Sequence, residues 1–207
     1  LLGTELAILG GAMTWVSERT LVSAISNAGG FGVIACGSMD PGRLREEIRA
    51  TRALTARPFG VNLIVMHPQL AELARTCVEE RVGHVVLAGG LPPAECLQVL
   101  REGGSRAIGF APALSIARKL RRSGIDGLIL EGSEAGGHIG AVSTSVLAQE
   151  ILPHVDDVPV FVAGGIGRGE AMVAYLEMGA AGVQLGTRFV CASESVAHPR
   201  MKQTYIR

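Results

Sequence analysis

The sequence predicts a (β/α)8 barrel, and three observations carry that prediction. Eight short apolar, β-branched runs recur along the 207 residues. Between them lie amphipathic stretches of roughly 10 to 15 residues, the alternation expected of an α/β fold. A repeat of about 26 residues, eight times over, fits a closed barrel better than an open doubly wound sheet. The 28 glycines are about twice the usual share, and they gather after the predicted strands, at the end of a barrel where binding loops lie.

In chain order the predicted strands span residues 5–9, 32–35, 60–65, 84–87, 107–110, 127–130, 158–162 and 182–185. The helical segments between them cover 17–28, 41–54, 68–81, 93–103, 113–123, 144–152 and 169–178. The second helix is well signalled, with Asp40 as N-cap and Pro41 at the first helical position. Its Leu44, Ile48 and Leu54 share one face, with Arg and Glu on the other. The seventh strand, Val-Pro-Val-Phe-Val, is apolar throughout, as in a parallel sheet covered on both sides. The eighth ends near Leu185 and leaves few residues for a closing helix. Barrels typically run to about 250 residues, the chain opens on Leu1 and it stops at Arg207. The expectation is therefore a lean single domain over 1–207, a fragment at both ends that lacks a C-terminal helical extension.

Charge is balanced, 19 Lys+Arg against 19 Asp+Glu, which removes the long-range pull on phosphate backbones or anionic lipid. With 48% hydrophobic residues the chain cannot be disordered. No apolar run approaches the roughly 20 residues of a bilayer span. Cys36, Cys77, Cys96 and Cys191 form no CxxC pair, and no secretory leader is visible. They read as reduced, buried thiols of a cytoplasmic protein.

The glycine pairs carry the functional reading. Gly10-Gly11 follow the first strand, Gly89-Gly90 the fourth, and Gly136-Gly137 with Gly140 the sixth. Gly164-Gly165, Gly167 and Gly169 follow the seventh, and Gly186 the eighth. Any one pair could serve a tight turn only; together after strands seven and eight they match the position where barrels bind phosphate. Gly30-Phe-Gly32-Val-Ile-Ala35 fits G-x-G-x-x-A on paper but runs from helix into strand, the reverse of a dinucleotide fingerprint. A phosphate in a barrel then points to a flavin mononucleotide or a phosphorylated substrate.

The lysines are Lys119, on the fifth helix, and Lys202, beyond the barrel, and neither reaches the mouth, which disfavours Schiff-base chemistry. Glu131, Glu134 and His138 are too few for a metal cage. A redox cofactor becomes the economical source of reactivity. His138, in Glu131-Gly-Ser-Glu-Ala-Gly-Gly-His-Ile-Gly140, stands on a glycine-flanked polar loop after the sixth strand and reads as a general acid or base. His67 and His84 sit at strand ends without such a loop, and His154 and His198 lie off the active face. Asn62 and Gln184, polar residues inside core strands, need partners there: a flavin edge or a core hydrogen bond.

At this point the residues resemble the FMN-dependent nitronate monooxygenases (2-nitropropane dioxygenases) and their relatives, the type II enoyl-acyl carrier protein reductases. The likeness runs along nearly the whole chain: Gly10-Gly-Ala-Met-Thr-Trp-Val16, Ala28-Gly-Gly-Phe-Gly32, Arg57-Pro-Phe-Gly-Val-Asn-Leu63, the segment from Glu131 to Gly140, Ala163-Gly-Gly-Ile-Gly-Arg-Gly169, and Gly179 to Phe189. The strand seven and eight segment alone also resembles inosine monophosphate dehydrogenases, but those carry a cysteine nucleophile where this chain has His138. The resemblance implies a TIM barrel with Gly11, Ala12 and Met13 along the isoalloxazine ring, and Asn62 and Glu131 at its polar edges or ribityl chain. It implies Gly164, Gly165, Gly186 and Thr187 at the phosphate with Gln184 close by, Gly137 and Ala163 in the same cofactor-binding set, and His138 as the catalytic residue. Ala12 stands where family members often have glycine.

The function this implies is first a nitronate monooxygenase, converting alkyl nitronates with oxygen to a carbonyl compound and nitrite. The alternative is an FMN-type enoyl-acyl carrier protein reductase drawing electrons from NAD(P)H, and the third reading is a flavin-binding barrel without turnover. The expected partners are a small-molecule substrate, nitronate or enoyl thioester, and a second copy in a homodimer; no nucleic acid, membrane or metal is expected.

Overall fold

The computed structural model describes residues 1–137 and 140–206. Eight parallel strands form one sheet: β1 (Ile8–Gly10), β2 (Gly32–Ala35), β3 (Phe59–Ile64), β4 (His84–Ala88), β5 (Arg106–Ala111), β6 (Gly127–Glu131), β7 (Val160–Ala163) and β8 (Gly182–Leu185). Their spatial order, β1-β8-β7-β6-β5-β4-β3-β2, is that of a (β/α)8 TIM barrel. The ring is joined between the sheet's two edges by a parallel bridge from Leu9 to Phe31. There the Phe31 N–H donates to Ile8 O and the Gly10 N–H to Phe31 O, both at 2.9 Å.

Helices α1 (Arg19–Asn27), α2 (Pro41–Leu54), α3 (Leu70–Glu79), α4 (Ala94–Glu102), α5 (Leu114–Arg122), α6 (Thr144–Ile151) and α7 (Gly169–Glu177) follow the first seven strands. After β8 come a single turn, α8 (Thr187–Val190), and α9 (Pro199–Ile206). Lys202 fastens this tail: its Nζ donates to Ala192 O and Ser195 O at 2.7 Å each. Among the described residues no helix is long and apolar enough to cross a membrane.

Strand residues alternate between two apolar layers. Leu9, Phe31, Val86, Ile108, Ile129 and Phe161 fill the barrel interior, while Leu44, Leu73, Leu100, Leu120 and Leu147 seal the helices onto its outside. The aromatic rings are matched by glycines. A Cβ on Gly60 would lie 2.9 Å from the Phe31 ring, and one on Gly182 would lie 3.0 Å from that of Phe161. Large and small residues thus interlock as close packing requires. Cys36, Cys77 and Cys96 are buried free thiols and Cys191 is half-buried. Burial pushes the Cys36 thiol up to about 12, far from a reactive thiolate.

Several boundaries differ from those expected. The first strand runs Ile8–Gly10, not 5–9: the Leu6 N–H is spent on Gly29 O at 2.9 Å before the barrel is entered, and Glu5 pairs at the surface with Arg57. The seventh runs Val160–Ala163, not 158–162, because Pro159 has no N–H for the ladder. On α2 the buried face is Leu44, Glu47, Ile48 and Thr51, and Leu54, expected on it, is exposed because the helix ends there. Glu47 is buried, and the Arg19 side chain reaches it at 2.5 Å. Gly30–Ala35 does run from helix into strand, since α1 ends at Asn27 and β2 begins at Gly32.

Gly32 is where α1 rests on β2. A Cβ there would lie 2.2 Å from Val22 O and 2.9 Å from Val22 Cα, and backbone cannot give way as a side-chain tip can. Gly32→Ala should therefore cost on the order of 2–3 kcal/mol, read as a lower midpoint in chemical denaturation. An unchanged midpoint would show that α1 is free to slide.

Candidate functional site

The site is built at the carboxyl ends of the strands, where the chain must leave the sheet between closely spaced neighbours. Glu131, Ala163 and Gln184 are Cα partners across β6, β7 and β8, so their side chains share a face. Ile129 and Phe161, two residues earlier, line the barrel interior, which aims all three inward. The short Ala163 leaves a slot with a carboxyl on one side and a carboxamide on the other. Neither has a side-chain hydrogen bond among the described residues, so both are available to a ligand. Asn62, 5% exposed, lies at the same mouth and donates from Nδ2 to Val86 O at 3.1 Å. Of its two candidate partners the core bond is thus present, and Oδ1 is left to accept another.

The wall beside Gln184 is backbone. Gly11 N–H donates to Leu185 O at 2.8 Å, and a Cβ on Gly11 would lie 3.4 Å from Gly186 Cα and 3.7 Å from Gln184 Cδ. Gly10 is the last residue of β1, not part of the loop after it. The Ser17 hydroxyl, 4% exposed, fixes the loop that follows. It donates to Gly11 O at 2.9 Å and accepts from Met13 N–H at 3.0 Å, holding Ala12 and Met13 at the mouth. Trp15, in the same loop, has φ 68 and is 80% exposed, an unfavourable backbone state for a bulky residue. Met66 after β3 and Leu91 after β4 are exposed on the same rim. A cavity of about 520 Å³ opens behind Trp15, between Ala35, Met39 and the charged Glu18, Arg19, Arg43 and Glu47 toward the starts of α1 and α2.

After β7 the chain turns through Gly164 and Gly165, at φ 110 and 71, conformations open to glycine and strained for other residues. Gly186 caps the turn that starts at Thr187. Glu134 and Ala135, in the loop after β6, lie against the β7 glycines, and Gly137 is exposed at φ 81. His138, the candidate acid or base, falls in this loop but outside the described residues. Glu134 does not reach for a metal: its carboxylate accepts from Thr144 N–H at 2.6 Å and from Thr144 Oγ at 2.8 Å. The Thr144 N–H bond, followed by the hydroxyl, holds it below the usual carboxylate range. Among the described residues no cluster suits a metal ion.

The other histidines are accounted for structurally. His84 opens β4 and so lies at the opposite end of the barrel, where its ring meets Phe31 edge-on at 5.1 Å and Nε2 lies 2.9 Å from Leu1 O. His67 Nδ1 accepts from Gln69 N–H at 3.1 Å ahead of α3. Ser17, Thr144 and Trp15 were not singled out from the sequence, where a lone hydroxyl or aromatic in a loop carries no signal of its partners.

A family model for nitronate monooxygenase matches residues 1–207. The chain belongs to this family. FabK from Thermotoga maritima superposes with a TM-score of 0.94 at 42% identity, over 98% of this chain and 64% of that one. Nitroalkane oxidase from Streptomyces ansochromogenes gives 0.90 at 30% identity, over 97% and 70%. A (3aS,4S,5R,7aS)-5-hydroxy-7a-methyl-1-oxo-octahydro-1H-indene-4-carboxyl-CoA dehydrogenase from Mycobacterium tuberculosis is 36% identical over all of this chain and 59% of its own length. The chain thus spans about three fifths of that relative.

Glu131 offers a test of the mouth. Half-buried and without an ion-pair partner among the described residues, its carboxyl is pushed up to about 7 by loss of hydration. At acid pH it is protonated folded or unfolded, and burial of the neutral group costs little. Rising pH ionises the unfolded chain first, so stability falls until the folded carboxyl also ionises near pH 7. The accumulated loss is on the order of 3 kcal/mol. In flavin-free protein Glu131→Gln should therefore raise Tm clearly at pH 8 and hardly at pH 4.5. A gain independent of pH would contradict a buried carboxyl.

Proposed function

We propose that the chain forms the FMN-binding barrel of an oxidoreductase that acts on an acyl thioester, with NAD(P)H as electron donor. FMN suits the residues present. Ala163 leaves room for a flat ring between the Glu131 carboxyl and the Gln184 carboxamide, which can meet its donor and acceptor edge together with Asn62. Gly11, Ala12 and Met13 would lie along the ring, with Ser17 holding their backbone in place. Gly164, Gly165, Gly186 and Thr187 would take the phosphate on backbone amides, with Gly137 beside them. When bound, FMN supplies electron transfer, as hydride or one electron at a time. The protein's own contribution is to hold and orient: His138 carries a proton on its imidazole to or from the substrate, and the apolar rim excludes water.

One observation carries the thioester over a small nitronate: the rim. Trp15, Met66 and Leu91 stand exposed around the mouth. Three exposed apolar side chains are more than a short alkyl nitronate can cover, and they suit an acyl chain or ring. The Mycobacterium tuberculosis relative, whose name is that of a carboxyl-CoA dehydrogenase, supports the same class. The family match supports a second reading, nitronate monooxygenase, in which His138 removes the α-proton of a neutral nitroalkane and its cationic form faces the anion.

The readings separate anaerobically. The full-length protein is expected to be yellow, to bleach on NADH or NADPH, and to recover colour on addition of an enoyl thioester. Bleaching by an alkyl nitronate alone would favour the second reading instead. Colour that responds to neither would leave a flavin-binding barrel without turnover. His138→Asn should keep FMN bound and lower thioester turnover by about 100-fold or more, the usual worth of a general acid; near-normal turnover would remove His138 from the chemistry.

A further inference from the structure

The neck of the loop after β6 is tied more tightly than a connection between strand and helix requires. Ser133 N–H donates to Val142 O at 2.8 Å. A Cβ on Gly132 would lie 2.3 Å from Thr144 Oγ and 2.4 Å from Thr144 N, and one on Gly140 would lie 2.4 Å from Glu131 O. Those contacts bring 131–134 against 140–144, and the Glu134 carboxylate closes the neck by accepting both Thr144 donors. It thereby satisfies the first free N–H of α6 and meets the positive end of the helix dipole.

The same atoms press on β7. A Cβ on Gly164 would lie 2.7 Å from Thr144 Oγ and 2.8 Å from Ala135 N, and one on Gly165 would lie 3.2 Å from Glu134 Cβ. Thr144 Oγ also lies 3.4 Å from Ala163 O. Thr144 is 1% exposed, so its hydroxyl has no water to turn to. One buried hydroxyl therefore meets the loop, the first turn of α6 and the glycine turn at once.

We propose that Glu134 and Thr144 are positioning residues that clamp the loop carrying His138 onto the glycines after β7, so that the proton-carrying and phosphate-holding sides of the site move as one unit. The clamp is a property of the protein chain, while the meaning of its two sides rests on the flavin reading above. The arrangement couples the order of residues 133–137 to that of the glycine turn. Neither residue need touch substrate for its loss to be felt in turnover.

Hydrogen–deuterium exchange on the full-length protein as isolated tests this directly, with flavin content read from the absorbance of the same samples. Thr144→Val and Glu134→Ala should each speed exchange about tenfold, the worth of one or two lost hydrogen bonds, at 133–137 and at 163–166 together. Thr144→Ser, which keeps the hydroxyl, should exchange like the parent protein. Both damaging variants should also lower turnover by a larger factor than they weaken FMN binding. Faster exchange in the loop with 163–166 unchanged would overturn the proposal, as would no change in either segment. Glu134→Ala alters an exposed side chain, so it keeps the test open should Thr144→Val fail to fold. A colourless protein that takes up no FMN would defeat the flavin reading, while the paired exchange result would still decide the clamp.

Discussion

The site depends on closure of the sheet between Leu9 and Phe31. Two backbone bonds of 2.9 Å turn an open eight-stranded sheet into a ring, and only in a ring do β1 and β2, its two edge strands, become neighbours. The β1–β8 ladder brings Gly11 against Gly186, and closure of the ring sets Asn62 and the other loops around the same mouth. Phe31 serves this closure twice, through its backbone in the bridge and through its ring, fully buried at the barrel floor against His84. Gly60 is the necessary counterpart, since any Cβ there would collide with that ring. A packing decision at one end of the barrel thus sets the geometry at the other.

Much of this was legible in the residues. Eight apolar runs with helical stretches between them are a global pattern, tolerant of local error, so the barrel was read correctly although individual strand ends were not. The ends failed where long-range partners decide them. Leu6 looks like strand until Gly29 claims its N–H, and Leu54 continues a helical stripe that the core no longer needs. Glycines marked the mouth because positive φ and close backbone approach leave few alternatives, as at Gly164 and Gly165. Ser17 and Thr144 stayed hidden because a hydroxyl acquires meaning only from the carbonyls and amides folded around it.

Charge shows the same division. The balanced composition does not mean an evenly mixed molecule. Glu47 and Glu80 are buried acids met by Arg19 and Arg49, respectively, where α2 packs on its neighbouring helices. A buried acid left alone would cost several kcal/mol, so these pairs act in packing and not in chemistry. Glu131 is the contrast: half-buried at the mouth, with no ion-pair partner among the described residues. Among the described residues the Glu131 and Gln184 side chains make no hydrogen bond of their own, and both stand where a ligand can supply one.

Trp15 is the chain's sole tryptophan, and it stands 80% exposed on the rim, in a loop that Ser17 ties to the wall of the site. The protein therefore carries its own optical probe at the entrance. Its emission is that of an indole in water when the mouth is open, and it shifts to shorter wavelength or is quenched when an apolar group or a flat conjugated ring settles against it. Excited at the red edge of indole absorption, where Tyr175 and Tyr205 do not absorb, Trp15 reports occupancy of the mouth without a label.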